Sequence, residues 1–269
     1  MFDWWREKKR EKLLEQPFPA EHLAVLERNV KHYSRLTTED QKRLRDLVQV
    51  FTAEKHWEAC GGLVLTDEMK VTIAAQACLL VLELPHRLYE NVESILVYPS
   101  TVVRPAPRDG VFVRTSTLIA EGPSTLWGEA HHHGPVILAW DRVLRDGQRP
   151  CDGHNLVYHE FAHKLDMLDG RADGTPPLVS RDERRRWHEV FEAEFLELRA
   201  RAERGEHTFI DEYATVDEAE FFAVVTEHFF DQPAELHAEH PALYEALRSF
   251  YRQDPAARCA LSASESASV

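Results

Sequence analysis

Cysteine is scarce and scattered. The four in 269 residues, Cys60, Cys78, Cys151 and Cys259, include no CxxC pair. That spacing excludes a thiolate zinc ribbon and a disulfide scaffold, and it suits a reducing, cytoplasmic setting. Positive charge is also in deficit: 32 Lys and Arg face 46 Asp and Glu, for a net charge of −14. Broad binding to nucleic acid or to an anionic membrane needs basic patches, so neither is expected as a partner. Long apolar runs are missing too. The longest, Val71 to Leu84, falls short of the roughly 18 residues of a spanning helix and suits a buried one. The opening MFDWWREKKREKLLEQ is basic, yet no apolar stretch follows it, so it is not expected to serve as a secretory signal.

What is present has an α+β order. Pro17 to Pro19 separates a charged N-terminal segment, residues 1–20, from a single domain over 21–258. Within that domain a helical lobe at about 21–90 precedes a catalytic part at about 91–258, and a polar tail, 259–269, is expected to be disordered. Residues Thr38 to His56 place Leu44, Leu47, Val48 and Phe51 at helical spacing, with Thr38 as N-cap. Asp67 to Leu84 forms a buried helix ended by Pro85. Ser94 to Tyr98, Val111 to Ile119 and Pro135 to Trp140 are short, β-branched and bounded by Pro or Gly, as strands are. Helices then return in the segment after His154, at Ser180 to Arg204, at Asp217 to Phe230 and at Pro241 to Tyr251.

The stretch NLVYHEFAHKLDMLDG carries the chemistry. His159 and His163 are four apart and share one helix face, so both can reach a zinc ion. Glu160 follows the first histidine and is placed to accept a proton from a water at the metal's open position. A surface helix with two solvated histidines is the plainer alternative, but Leu156, Val157, Tyr158, Phe161, Ala162 and Leu165 surround the trio with core-type residues.

A hydrolytic site needs a third protein ligand. Glu220 sits in the apolar segment DEAEFFAVVTEHFF, where an unpaired carboxylate is costly. Two arrangements compete. Asp217 and Glu220 could form a capping box, or Thr215 and Glu218 could form one and free Glu220 for the metal. Glu227, two turns on, is the fallback ligand or a carboxylate behind the ligands. Asp166 could hydrogen-bond a ligand imidazole, pair with Lys164 or cap a turn. Tyr213 is one tyrosine among seven on sequence alone. His131, His132 and His133 point alternately in an extended segment and suit a solvated loop, and Arg181 to Arg186 suits a solvated face.

HEFAHKLDMLDG followed by DEYATVDEAEFFAVVTEHFF resembles the Mlc titration factor A family of bacterial zinc peptidases, and the likeness extends upstream through LVLEL, ILVYP and GPVILAW. The pair of motifs is also similar to the peptidase domain of anthrax lethal factor, of the glutamate-ligand (gluzincin) type. The resemblance implies a zincin-like fold, with N-terminal helices, a small sheet with an edge strand and C-terminal helices carrying the site. It implies His159, His163 and Glu220 as ligands of one Zn²⁺, Glu160 as catalytic base and Tyr213 as the group assisting the transition state. It further implies aminopeptidase-like hydrolysis of peptides by a Glu-activated, zinc-bound water, and an Mlc-like repressor as protein partner. The alternative is a weakly catalytic or non-catalytic zinc protein that binds a regulator. Gly134 to Trp140 is the expected edge strand for an extended peptide.

Overall fold

The computed structural model describes residues 2–84, 89–100, 134–149 and 152–266. The expected strand at Val111 to Ile119, the histidines at 131–133 and Pro85 lie outside them.

The charged N-terminal segment forms helix α1 (Phe2–Leu14), followed after the prolines by α2 (Ala20–Asn29). Helix α3 (Thr38–Glu54) buries Leu44, Val48, Val50 and Phe51. Its cap is Thr37, whose hydroxyl accepts the N–H of Asp40; Thr38, the expected cap, is already the first helical residue. Arg10 joins α1 to α3 through two 2.7 Å hydrogen bonds to Glu54, and Gln49 donates to the carbonyl of Leu13.

The helix expected to reach His56 stops at Glu54, because His56–Ala59 is strand β1. Its Trp57 ring packs edge-on against Phe51 at 6.1 Å. Helix α4 (Asp67–Leu80) follows, buried on all sides over Val71–Leu80 and four residues shorter than its apolar run. It provides the crossover to β2 (Ser94–Tyr98), which runs parallel to β1 with His56 opposite Ser94. Strand β3 (Val136–Ala139) pairs in parallel with the other side of β2, Ile95 opposite Val136. The order is β1-β2-β3, so among the described residues β3 is an edge. The chain turns from β3 directly into α5 (Trp140–Gln148).

Helices α6 (Leu156–Asp166), α7 (Arg181–Glu203), α8 (Glu218–Asp231), α9 (Pro233–Glu239), α10 (Pro241–Tyr251) and α11 (Pro255–Ser266) complete the domain. The segment expected to be a disordered tail from 259 is thus helical to Ser266. Helix α6 packs against α8, α4 and β3, which places its polar residues between the sheet and the C-terminal helices. The architecture is α+β, helix-rich around a small parallel sheet. Among the described residues no helix is long and apolar enough to cross a membrane.

Gly174 locks the loop between α6 and α7. Its φ is +71°, its N–H donates to Asp166 at 3.0 Å and its carbonyl accepts from the Trp187 indole at 3.0 Å. A Cβ there would lie 2.3 Å from the carbonyl oxygen of Glu218, where α8 begins. Gly174→Ala is expected to destabilise the fold by about 2–4 kcal/mol, the sum of left-handed strain and overpacking. The urea midpoint of the variant measures it.

Candidate metal centre

Helix α6 starts from a satisfied end. Asn155 Oδ1 accepts the N–H of Tyr158 at 2.9 Å, and Asp146 accepts that of Leu156 at 3.1 Å. One turn in, His159 and His163 stand with ring centroids 4.8 Å apart and planes at 82°. Their Nε2 atoms approach to 3.2 Å.

Glu220 arrives from α8. The cap of that helix is Asp217, whose Oδ1 accepts the Glu220 N–H at 2.8 Å. The Thr215 and Glu218 box does not form; the Thr215 hydroxyl donates instead to the carbonyl of Glu212. Even so, Glu220 is free: its carboxylate leaves the capping box half-made and turns to the histidines. Oε2 lies 3.1 Å from Nε2 of His159 and 3.6 Å from Nε2 of His163, yet accepts a hydrogen bond from neither.

Those separations of 3.1, 3.2 and 3.6 Å can be tested against a metal. Ligands about 2.0–2.1 Å from a tetrahedral ion lie roughly 3.3–3.4 Å from one another. The three atoms therefore match one face of such a tetrahedron. Among the described residues this is the one set of three such side chains whose donor atoms converge within 4.8 Å.

Glu227 stands behind His159. Its Oε1 is 2.8 Å from Nδ1, and its other oxygen accepts the backbone N–H of Asn155. A carboxylate there leaves Nε2 available to an ion, as outer carboxylates do in histidine–metal sites. Of the two acidic residues considered for the third position, Glu220 meets the Nε2 atoms and Glu227 meets the far side of the ring. Asp166 sits elsewhere. Its Oδ2 holds the N–H of Gly174, so it fastens the following loop. Tyr213, in the 3₁₀ turn Glu212–Thr215, has its ring centroid 6.1 Å from that of His159.

The electrostatics favour a cation. Burial works against a charged His159, but the carboxylates of Glu220 and Glu227 outweigh it and raise the imidazole well above its usual range. Burial opposes ionisation of Glu220 as well, yet His159 and His163 hold it far below the ordinary carboxylate range. Burial pushes Glu160 up, against the pull of the two imidazoles. A divalent ion would compete with protons for these donors, since an imidazole must give up its proton at the ligating nitrogen.

Asn155 was not singled out from the sequence as a site residue, although an Asn three residues before Tyr158 is an N-cap signal. Gln76, buried in the apolar run of α4, carried a weaker sign: an amide in such a place needs partners.

The model of a family described as glucose-regulated metallo-peptidase M90 matches residues 2–252. The chain belongs to this family. An uncharacterized protein of Synechocystis sp. is 39% identical over 95% of this chain and 90% of its own length. Mlc titration factor A of Serratia proteamaculans is 36% identical over 84% of each chain, and that of Yersinia pestis 32% over 86% of this chain and 84% of its own. Membership of a metallopeptidase family implies a metal ion, and the His159, His163 and Glu220 donor set fits one.

Metal at about 100 times its Kd is expected to stabilise the protein by about 2.7 kcal/mol, raising Tm by roughly 5–10 °C. Scanning calorimetry of chelator-stripped and reloaded protein tests this, and His163→Ala is expected to abolish the shift.

Proposed function

We propose that this M90 protein is a zinc-dependent peptidase of aminopeptidase type, with His159, His163 and Glu220 as ligands of a single Zn²⁺. The observation that carries the reading is the set of tetrahedral-edge separations among three donor atoms on buried and half-buried side chains, with Glu160 next to His159 on the helix. Nitrogen and carboxylate donors in this ratio suit zinc, and three protein ligands leave a vertex for chemistry. When bound, the ion supplies Lewis acidity, polarising the scissile carbonyl and acidifying water.

The chain's own residues do the rest. Glu160 takes a proton from the attacking water and delivers it to the departing amine. Its burial, which raises its proton affinity, supports that two-way role. The Tyr213 hydroxyl donates a hydrogen bond to the oxyanion. Glu227 holds the His159 ring by its Nδ1–H. Among the described residues β3 has a strand partner on one side only, and an extended peptide adds along its other side.

Glu160→Gln is expected to keep stoichiometric zinc while lowering kcat by about 10²–10⁴-fold. Metal content by mass spectrometry and turnover of a fluorogenic peptide test it together; full turnover with zinc bound contradicts the assignment. Tyr213→Phe is expected to lower kcat by about 10²–10³-fold with KM little changed. Acetylating the substrate's N-terminus separates the aminopeptidase reading from an endopeptidase one, since only the former loses its substrate.

A second reading rests on the relatives named Mlc titration factor A. In it the chain binds an Mlc-like repressor in the cytoplasm, with hydrolysis incidental. A pull-down with Glu160→Ala distinguishes the two: capture that survives the loss of hydrolysis supports separate functions.

A further inference from the structure

A glutamine inside an all-apolar helix is expensive unless both ends of its amide are satisfied. Gln76 of α4 is fully buried, and its partners fix its orientation. Nε2 lies 3.2 Å from the carbonyl oxygen of Val143 on α5 and 3.3 Å from that of Thr72. Carbonyls only accept, so Nε2 is the donor and Oε1 faces the other way. There it accepts from Nδ2 of Asn155 at 2.9 Å. Asn155 is also fully buried, and its Oδ1 is thereby left for the N–H of Tyr158, which can only donate. Donation runs in one consistent direction, from the first turn of α6 through α4 to α5.

They do not stop at the helix end. The backbone N–H of Asn155 donates to one oxygen of Glu227, whose other oxygen faces Nδ1 of His159 at 2.8 Å. Gln76 thus reaches a proposed metal ligand through two residues. The packing is built around it: a Cβ on Gly147 of α5 would lie 2.9 Å from the Gln76 Nε2 and 2.5 Å from the carbonyl oxygen of Asn29. A glycine there lets α5 close over the amide.

We propose that Gln76 is a positioning residue of the metal centre, setting the His159 ring through Asn155 and Glu227. The proposal rests on His159, His163 and Glu220 being the ligands. Gln76→Met keeps length and apolar volume but removes the side chain's three hydrogen bonds. Asn155 then loses the acceptor that orients its amide, the backbone N–H it gives Glu227 is less firmly placed, and the His159 ring gains freedom about its Nδ1 contact. Changes to groups behind a metal ligand typically weaken binding by about 10–100-fold, and the lower end is expected for one acting through two intermediaries.

The test is competitive titration of Zn²⁺ against a chromophoric chelator, on full-length wild type, Gln76→Met and His163→Ala. Val48→Ala, which removes core volume from α3 outside these bonds, is the control matched for loss of metal-free Tm. Gln76→Met is expected to raise the zinc Kd about tenfold and to broaden the downfield proton resonance of His159 Nδ1–H in the loaded protein. Val48→Ala should do neither. Wild-type Kd and a sharp resonance in Gln76→Met would overturn the proposal. Should Gln76→Met not fold, Asn155→Asp keeps the helix cap but loses the Nδ2 donor; it carries the same expectation and the same refutation. Zinc binding by the wild type that ignores His163→Ala would remove the ligand assignment itself. Binding that depends on His163 but ignores Gln76 removes this proposal alone.

Discussion

His159 stands between two carboxylates, Glu227 at Nδ1 and Glu220 at Nε2, with Glu160 beside it on the same helix and His163 one turn on. Carboxylates outnumber imidazoles here, and a cation where Glu220 meets the two Nε2 atoms would offset the excess of negative charge. Much of the fold reads as the apparatus that keeps this arrangement together. Helices α6 and α8 face each other across the site, and each brings its functional groups from the first turns of a capped end. A capped end is rigid, so a side chain one turn in has little freedom to drift.

The supporting contacts come from both directions along the chain. From the N-terminal side, the buried helix α4 supplies the amide that holds Asn155. From the C-terminal side, the loop after α6 is pinned through Gly174 to Asp166, to Trp187 and against the start of α8. A displacement of either element would be felt at Glu220 or at the His159 ring. Preorganisation of this kind matters because charge-stabilising groups act best when they need no rearrangement as the reaction proceeds.

Much of this was legible in the sequence, for different physical reasons. The helical spacing of His159 and His163 fixes a shared face wherever the helix lies, so their proximity needed no tertiary knowledge. Apart from the family resemblance, Glu220 was legible as a carboxylate out of place beside Phe221 and Phe222. The expected release from capping, through Thr215 and Glu218, was the wrong local route to its position. Asp217 caps the helix, and the competition for the Glu220 carboxylate is decided by the histidines across the interface. Strand β1 was hidden because His-Trp-Glu-Ala is only 4 residues long and follows the helical run almost without a break; its strand character comes from pairing with β2. The role of Gln76 was hidden likewise, since a buried amide announces a need for partners without saying where they are.

The central claim is that three side chains from two helices meet at one metal ion and leave a vertex open. Anomalous diffraction at the zinc edge, from crystals of the metal-replete protein, tests it most directly. The account predicts one peak about 2.0–2.1 Å from Nε2 of His159, Nε2 of His163 and Oε2 of Glu220, with no fourth protein ligand. No peak at that point, or a peak closed off by a fourth side chain, would contradict it.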